Sequence, residues 1–306
     1  MLAALAIVLP VFGLIAIGSL ARQTGVLSDR TGEGLSDFVF TLAVPCLIFR
    51  TLVRAEIPAA QPWGYWISYF AGVAVVWVLA TVAARRVFGL SGTAAVVAGF
   101  SAGQANTVLV GIPMILKAYG DEGAVPLFLL IAVHLPVTMT LATLLAEGRK
   151  ASLLAILRRL VTHPIIIGMA AGFVLRPVAD HVPGPLWQIV DFIGGTAVPC
   201  SLISMGIALR RYGMEAGWRL PGLVAVLKLV LHPLVVMVLA VWVFEMPRAW
   251  AGVAVLFAAC PSGINAYLFA QRYGEGVALA SSSIALSTGL ALVTITMWLQ
   301  VLGAGG

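Results

Sequence analysis

The sequence predicts an all-α membrane protein: ten transmembrane helices in two inverted five-helix repeats, with broken, crossing fourth and ninth helices. Three observations predict it. The composition suits lipid, the basic residues alternate between loops, and two sets of short motifs recur at one fixed offset.

Of the 306 residues, 61% are hydrophobic and 10% charged, with mean hydropathy +1.06. Soluble domains carry about 25% charged residues. At about 20 apolar residues per crossing, this length holds roughly ten helices and little else. The net charge of +6 does not mark a nucleic-acid surface, because the basic residues lie at helix ends and not on an aromatic-interleaved face. Cys46, Cys200 and Cys260 all sit in apolar stretches, so neither a disulfide framework nor a metal cluster is indicated, and no cofactor is implied. The first ten residues lack a basic leader, which argues for a membrane helix over a cleaved signal.

Taken in order, apolar runs and their punctuation place helices at 3–21, 33–53, 63–84, 92–117 and 124–147, then at 163–179, 186–209, 220–243, 248–271 and 276–301. Residues 1–150 form the first repeat and 151–306 the second. In the second and seventh helices, Asp37 and Asp191 stand early and complement the N-terminal dipoles. The fourth run is long enough to cross, yet carries Gly103-Gln104-Ala105-Asn106-Thr107 at its middle. The fifth holds His134 at its centre. The connection from Glu147 to Pro164 is the longest and most basic, and its stretch 153–157 fits a short amphipathic surface helix. Gly99-x-x-x-Gly103 and Gly168-x-x-x-Gly172 read as close helix packing. The eighth helix contains Lys228 and His232, and the ninth is interrupted at Cys260-Pro261-Ser262-Gly263. Tryptophans and tyrosines near helix ends, among them Trp63, Trp187, Trp218 and Trp298, read as interface belts.

Odd-numbered loops and their flanks carry 12 Lys or Arg and even-numbered ones 5. The positive-inside bias therefore places odd loops in the cytoplasm and both termini outside. An odd number of helices per half makes the halves inverted copies. Asp37-Phe38 with Ala43-Val44-Pro45-Cys46 matches Asp191-Phe192 with Ala197-Val198-Pro199-Cys200, and Tyr119-Gly120 matches Tyr273-Gly274, both at an offset of 154 (191 − 37 and 273 − 119). Inverted repeats locate a transporter's site where the two repeats meet.

Free backbone groups at mid-membrane need partners. Asn106, Thr107 and Ser262 are good helix-capping types, and Pro261 suits a helix restart. Half-helices starting there aim partial positive charge at one another's crossing, where an anion is the natural guest. Gln104, Asn106, Thr107, Ser262, Asn265 and Lys228 are the substrate-binding candidates. Gly103, Pro113, Pro261 and Gly263 are the structural residues of the crossover. A lysine at mid-helix costs about 2.5–3.5 kcal/mol on insertion scales. Lys228 therefore either meets the anion, stands as a fixed cation, or is held by carbonyls of the broken ninth helix. His134 and His232 can carry protons, though each more often proves a hydrogen-bonded core residue.

The stretch Asn106 to Gly120 resembles the fourth-helix motif of the auxin efflux carrier (PIN-like) family, and Pro261 to Ala270 is similar to its ninth-helix segment. The Ala-Val-Pro strings at 43–45 and 197–199 also fit, and the likeness covers nearly the whole chain. It implies a scaffold of helices 3–21, 33–53, 163–179 and 186–209, a mobile transport domain from the rest, a homodimer through the scaffold, and elevator-like transport of an organic anion. By the same likeness, Asn106 falls on the family's substrate-contacting asparagine. Two features depart from plant members: Ala105 stands where they have the crossover proline, and 63–84 lacks their third-helix carboxylate. The long hydrophilic central loop of many plant members is absent as well. The auxin-specific site and phosphorylation control are not carried over.

The expected function is secondary transport of a mono- or dicarboxylate across a cell membrane, here a bacterial inner membrane. The partners are the solute, the lipid bilayer and a second copy of the chain. The rivals are a sodium-coupled anion symporter of the bile-acid type and a non-transporting ligand sensor. An enzyme is not supported, since no His-Glu-x-x-His, Gly-x-Ser-x-Gly or aspartate-rich metal motif occurs.

Overall fold

A chain this apolar must satisfy its backbone hydrogen bonds within each segment, and helices do so. The computed structural model describes residues 2–54, 63–148, 154, 158 and 161–304. Among these the regular elements are all helical, and an isolated antiparallel bridge joins Ala105 to Ser262. The helices are α1 (Leu2–Gln23), α2 (Asp29–Arg54), α3 (Trp63–Arg86), α4 (Gly92–Gly103), α5 (Thr107–Glu147), α6 (Pro164–Leu175), α7 (Gly184–Leu209), α8 (Arg219–Val243), α9 (Arg248–Ala259), α10 (Ile264–Tyr273) and α11 (Val277–Val301). Among the described residues, seven of them, α1, α2, α3, α5, α7, α8 and α11, are long and apolar enough to cross a membrane. The amphipathic surface helix expected at 153–157 lies outside the described residues, apart from Leu154.

Local sequence explains the departures from the expected boundaries. Ser28 accepts the Thr31 N–H at 3.1 Å and starts α2 at Asp29, four residues early. Asp37 is thus well inside the helix, and Asp29 takes the first-turn position. Asp191 also serves otherwise than expected: it pairs with Arg50 of α2 at 2.7 Å. Trp298 is no simple belt residue, since its indole N–H donates to the Leu229 carbonyl at 2.9 Å. The α5 helix bends at Gly120, whose φ of 54° and ψ of −139° only glycine adopts freely, dividing it into limbs 107–119 and 121–147. π-Helical turns at Val39–Ala43, Thr107–Gly111 and Leu227–Leu231 each precede a proline, at 45, 113 and 233. A proline removes one N–H and clashes with the preceding turn, and a widened turn absorbs that misfit.

Close packing at glycines joins α1, α2, α6 and α7. A Cβ on Gly206 would meet the Ile15 carbonyl oxygen at 2.0 Å, and one on Gly18 the Ile203 oxygen at 2.3 Å, so α1 lies backbone to backbone on α7. Gly168 and Gly172 bring α6 against Pro45, Phe49 and Leu52 of α2 in the same way. Gly99 and Gly103 seat α4 against Trp77 of α3. The helices α3, α4, α5 and α8 to α11 pack chiefly on one another, and the 107–111 turn of α5 touches α7.

Candidate functional site: a helix crossover opening into a cavity

The α4 helix stops at Gly103 because Gln104 turns extended (φ −84°, ψ 123°), and α9 stops at Ala259 because Cys260, before Pro261, does the same. The two extended stretches pair. Asn106 N–H donates to the Pro261 carbonyl at 2.8 Å and Gly263 N–H to the Gln104 carbonyl at 3.0 Å. Glycine at 263 permits this approach, since a Cβ there would lie 2.8 Å from the Ala105 oxygen.

Side chains from neighbouring helices satisfy the groups that remain. His134 Nε2 accepts the Ala105 N–H at 3.4 Å, and His134 Nδ1 lies 2.9 Å from Tyr69 Oη. A neutral imidazole accepting at Nε2 carries its proton on Nδ1 and gives it to the tyrosine. Thr138 donates to Gln104 Oε1 at 2.6 Å, and Ser262 Oγ to the Ser101 carbonyl at 2.8 Å. Ser287 Oγ accepts the Ser262 N–H at 3.0 Å. Lys228 Nζ, fully buried, donates to the Ala258 carbonyl at 2.9 Å and lies 3.1 Å from His232 Nδ1. A cation at the carboxyl end of α9 offsets the negative pole of that helix.

This changes the expected role of the broken backbone. The amides at 105, 106, 262 and 263 serve the protein itself. The amides with no intrahelical partner are those of the first turns of the restarted helices, at 108–110 and 264–265, and of these residues Val108, Ile264 and Asn265 line a cavity while Leu109 and Val110 are fully buried. Both restarts face one cavity of about 610 Å³, lined by Thr107, Val108, Ile264, Asn265 and Tyr267 on one side and by α2 and α7 on the other. Its mouth carries Asp29, Glu33, Asp37 and Arg211, with Arg211 bonded to Glu33 at 2.6 Å and 3.4 Å from Asp29.

Of the six predicted binding residues, Thr107 and Asn265 line the cavity. Asn106 is adjacent and buried, its Nδ2 3.2 Å from the sulfur of Met205 in α7. Gln104, Ser262 and Lys228 lie behind, holding the crossover together. Gly263, not Ser262, occupies the capping position of α10, and neither it nor Asn106 makes a side-chain cap bond. Gly103, Pro261 and Gly263 sit at the crossover, whereas Pro113 lies beyond it in the restarted helix. His134 and His232 are fully buried and line none of this cavity. Sequence reasoning missed His163, Arg211, Tyr212 and Tyr267 on the wall, and Met205 behind it. Nothing in their spacing announces them, since they converge only through the packing of α6, α7 and α10.

A family model described as "Membrane transport protein" matches residues 3–299. A Rhizobium meliloti (strain 1021) protein named "Putative malonate transporter" is 29% identical over 98% of this chain and 96% of its own length. An uncharacterized transporter of Methanothermobacter thermautotrophicus is 27% identical over 96% and 97%, and one of Methanocaldococcus jannaschii 21% over 95% and 96%. The chain belongs to the membrane transport protein family, the auxin efflux carrier family whose motifs its sequence resembles.

Proposed function

We propose that the protein carries a small organic dianion of the malonate class across a bacterial inner membrane by elevator-like alternating access. The observation that carries this reading is the convergence of two helix starts, with Thr107 and Asn265, on one cavity. Their summed partial positive charge and unpaired N–H groups suit a carboxylate. The name of the Rhizobium relative supports malonate as the first solute to try.

The ten-crossing inverted repeat is part of the same proposal: α4 with the first limb of α5, and α9 with α10, each make one interrupted crossing. In it α1, α2, α6 and α7 are the scaffold and dimer surface, and the remaining helices move. With odd loops cytoplasmic, the cavity opens to the cytoplasm, because its mouth is built from the starts of α2 and α6 and the segment after α7. Lys228 is a structural cation on this reading and does not meet the solute.

Binding of malonate and a panel of mono- and dicarboxylates to purified protein, with flux in proteoliposomes, tests the proposal. Saturable malonate binding and flux that persist when potassium replaces sodium are expected. Loss of flux without sodium would select the symporter rival, and binding without flux the sensor. Asn106→Ala should weaken binding about tenfold, the scale of one charge-assisted hydrogen bond, while the dimer stays intact. Unchanged affinity would remove Asn106 from the site.

A further inference from the structure

Asparagine is among the strongest helix N-caps, its side-chain oxygen folding back to the N–H of the second or third helical residue. Asn106 occupies the capping position of the helix that starts at Thr107, yet makes no such bond. Its carboxamide turns the other way, with Nδ2 3.2 Å from Met205 Sδ. That sulfur is its side chain's one hydrogen-bonding partner among the described residues. Asn106 is 3% exposed and Met205 is fully buried, so the contact is shielded from competition. The backbone of Asn106 is fixed independently, by its N–H on Pro261 and its carbonyl on the Gly111 N–H at 3.1 Å. That backbone (φ −78°, ψ 73°) is not the extended one of an ordinary cap, and the side chain reaches α7.

We infer that Met205 is a positioning residue for the anion site: its thioether draws the Asn106 carboxamide away from its own helix, leaving the first-turn amide of Val108, a residue of the cavity wall, for a carboxylate. This rests on the transport reading above. A thioether is a weak acceptor, so the bond orients Asn106 while leaving it free to regroup around a solute.

The test is malonate affinity in three backgrounds. Met205→Leu keeps the volume and removes the acceptor. Asn106 then caps its own helix, and affinity falls about fivefold, the equivalent of one net hydrogen bond. Met205→Gln returns an acceptor at the same reach, and affinity stays within twofold of the parent. In an Asn106→Ala background, Met205→Leu changes nothing further. Affinity unchanged or raised in Met205→Leu overturns the inference, as does an equal fall when Asn106 is already alanine or a glutamine variant as weak as the leucine one. If the glutamine variant does not fold, the leucine arm and its alanine background decide. Parent protein that binds no carboxylate refutes the transport reading and this inference together, whereas parent binding that ignores residue 205 refutes the inference alone.

Discussion

The two interruptions, at 104–106 and at 260–263, share a backbone plan but differ in how neighbouring side chains hold them. At the first, the helpers are neutral and come from the second limb of α5: His134 receives the Ala105 N–H and Thr138 holds Gln104. At the second, the helpers are Lys228 of α8, on the Ala258 carbonyl, and Ser287 of α11, on the Ser262 N–H. One break is thus held by a histidine and a threonine, the other by a buried lysine and a serine. The outward sides differ too: Asn106 reaches α7 through Met205, while Asn265 lines the cavity directly. Two breaks with the same backbone course are thus held by different kinds of side chain. The 260–263 break carries the buried lysine, and the 104–106 break supplies the asparagine that reaches Met205 of α7.

The contrast is sharpest at Lys228. Lys228→Met should leave the Ala258 carbonyl without its charged donor and cost about 1.5–3 kcal/mol, read as a lower melting temperature in detergent. A melting temperature equal to the parent's would erase the difference between the two breaks. Gly263→Ala comes next. A Cβ 2.8 Å from the Ala105 oxygen must push the paired stretches apart, at about 1–3 kcal/mol, and proteolysis near the crossover should quicken. Undiminished resistance would mean that the bridge tolerates separation. Ser287→Ala is the mildest, removing one neutral acceptor from the Ser262 N–H at about 0.5–1.5 kcal/mol. Its effect on stability should fall below that of Lys228→Met, and the reverse order would show the cation to be dispensable.

Much of this is legible in the sequence. Pro261 beside Cys260, and Asn106 after Gly103, mark the breaks because such residues interrupt an apolar run where lipid offers no hydrogen bonds. The Gly-x-x-x-Gly pairs foretold close packing because a missing Cβ has one obvious use in a helix. The start of α2 was also there to read, in Ser28-Asp29, a cap followed by an acidic first turn. Asp191 was misjudged because its partner Arg50 is far away in sequence, and an ion pair between helices leaves no local pattern.

The sequence by itself determined that the chain is helical and made for lipid, where its helices break, and that the glycines at 99, 103, 168 and 172 lie in contact, since these follow from composition and spacing along one strand of chain. The contacts of Gly18 and Gly206, by contrast, came only with the packing of α1 on α7. Only the tertiary structure decided which freed amides the protein keeps for itself and which face the cavity. It also assigned Lys228 to a carbonyl and Asn106 to a sulfur. Those outcomes depend on which side chain of a distant helix arrives first at each unpaired group, and that competition is settled in three dimensions.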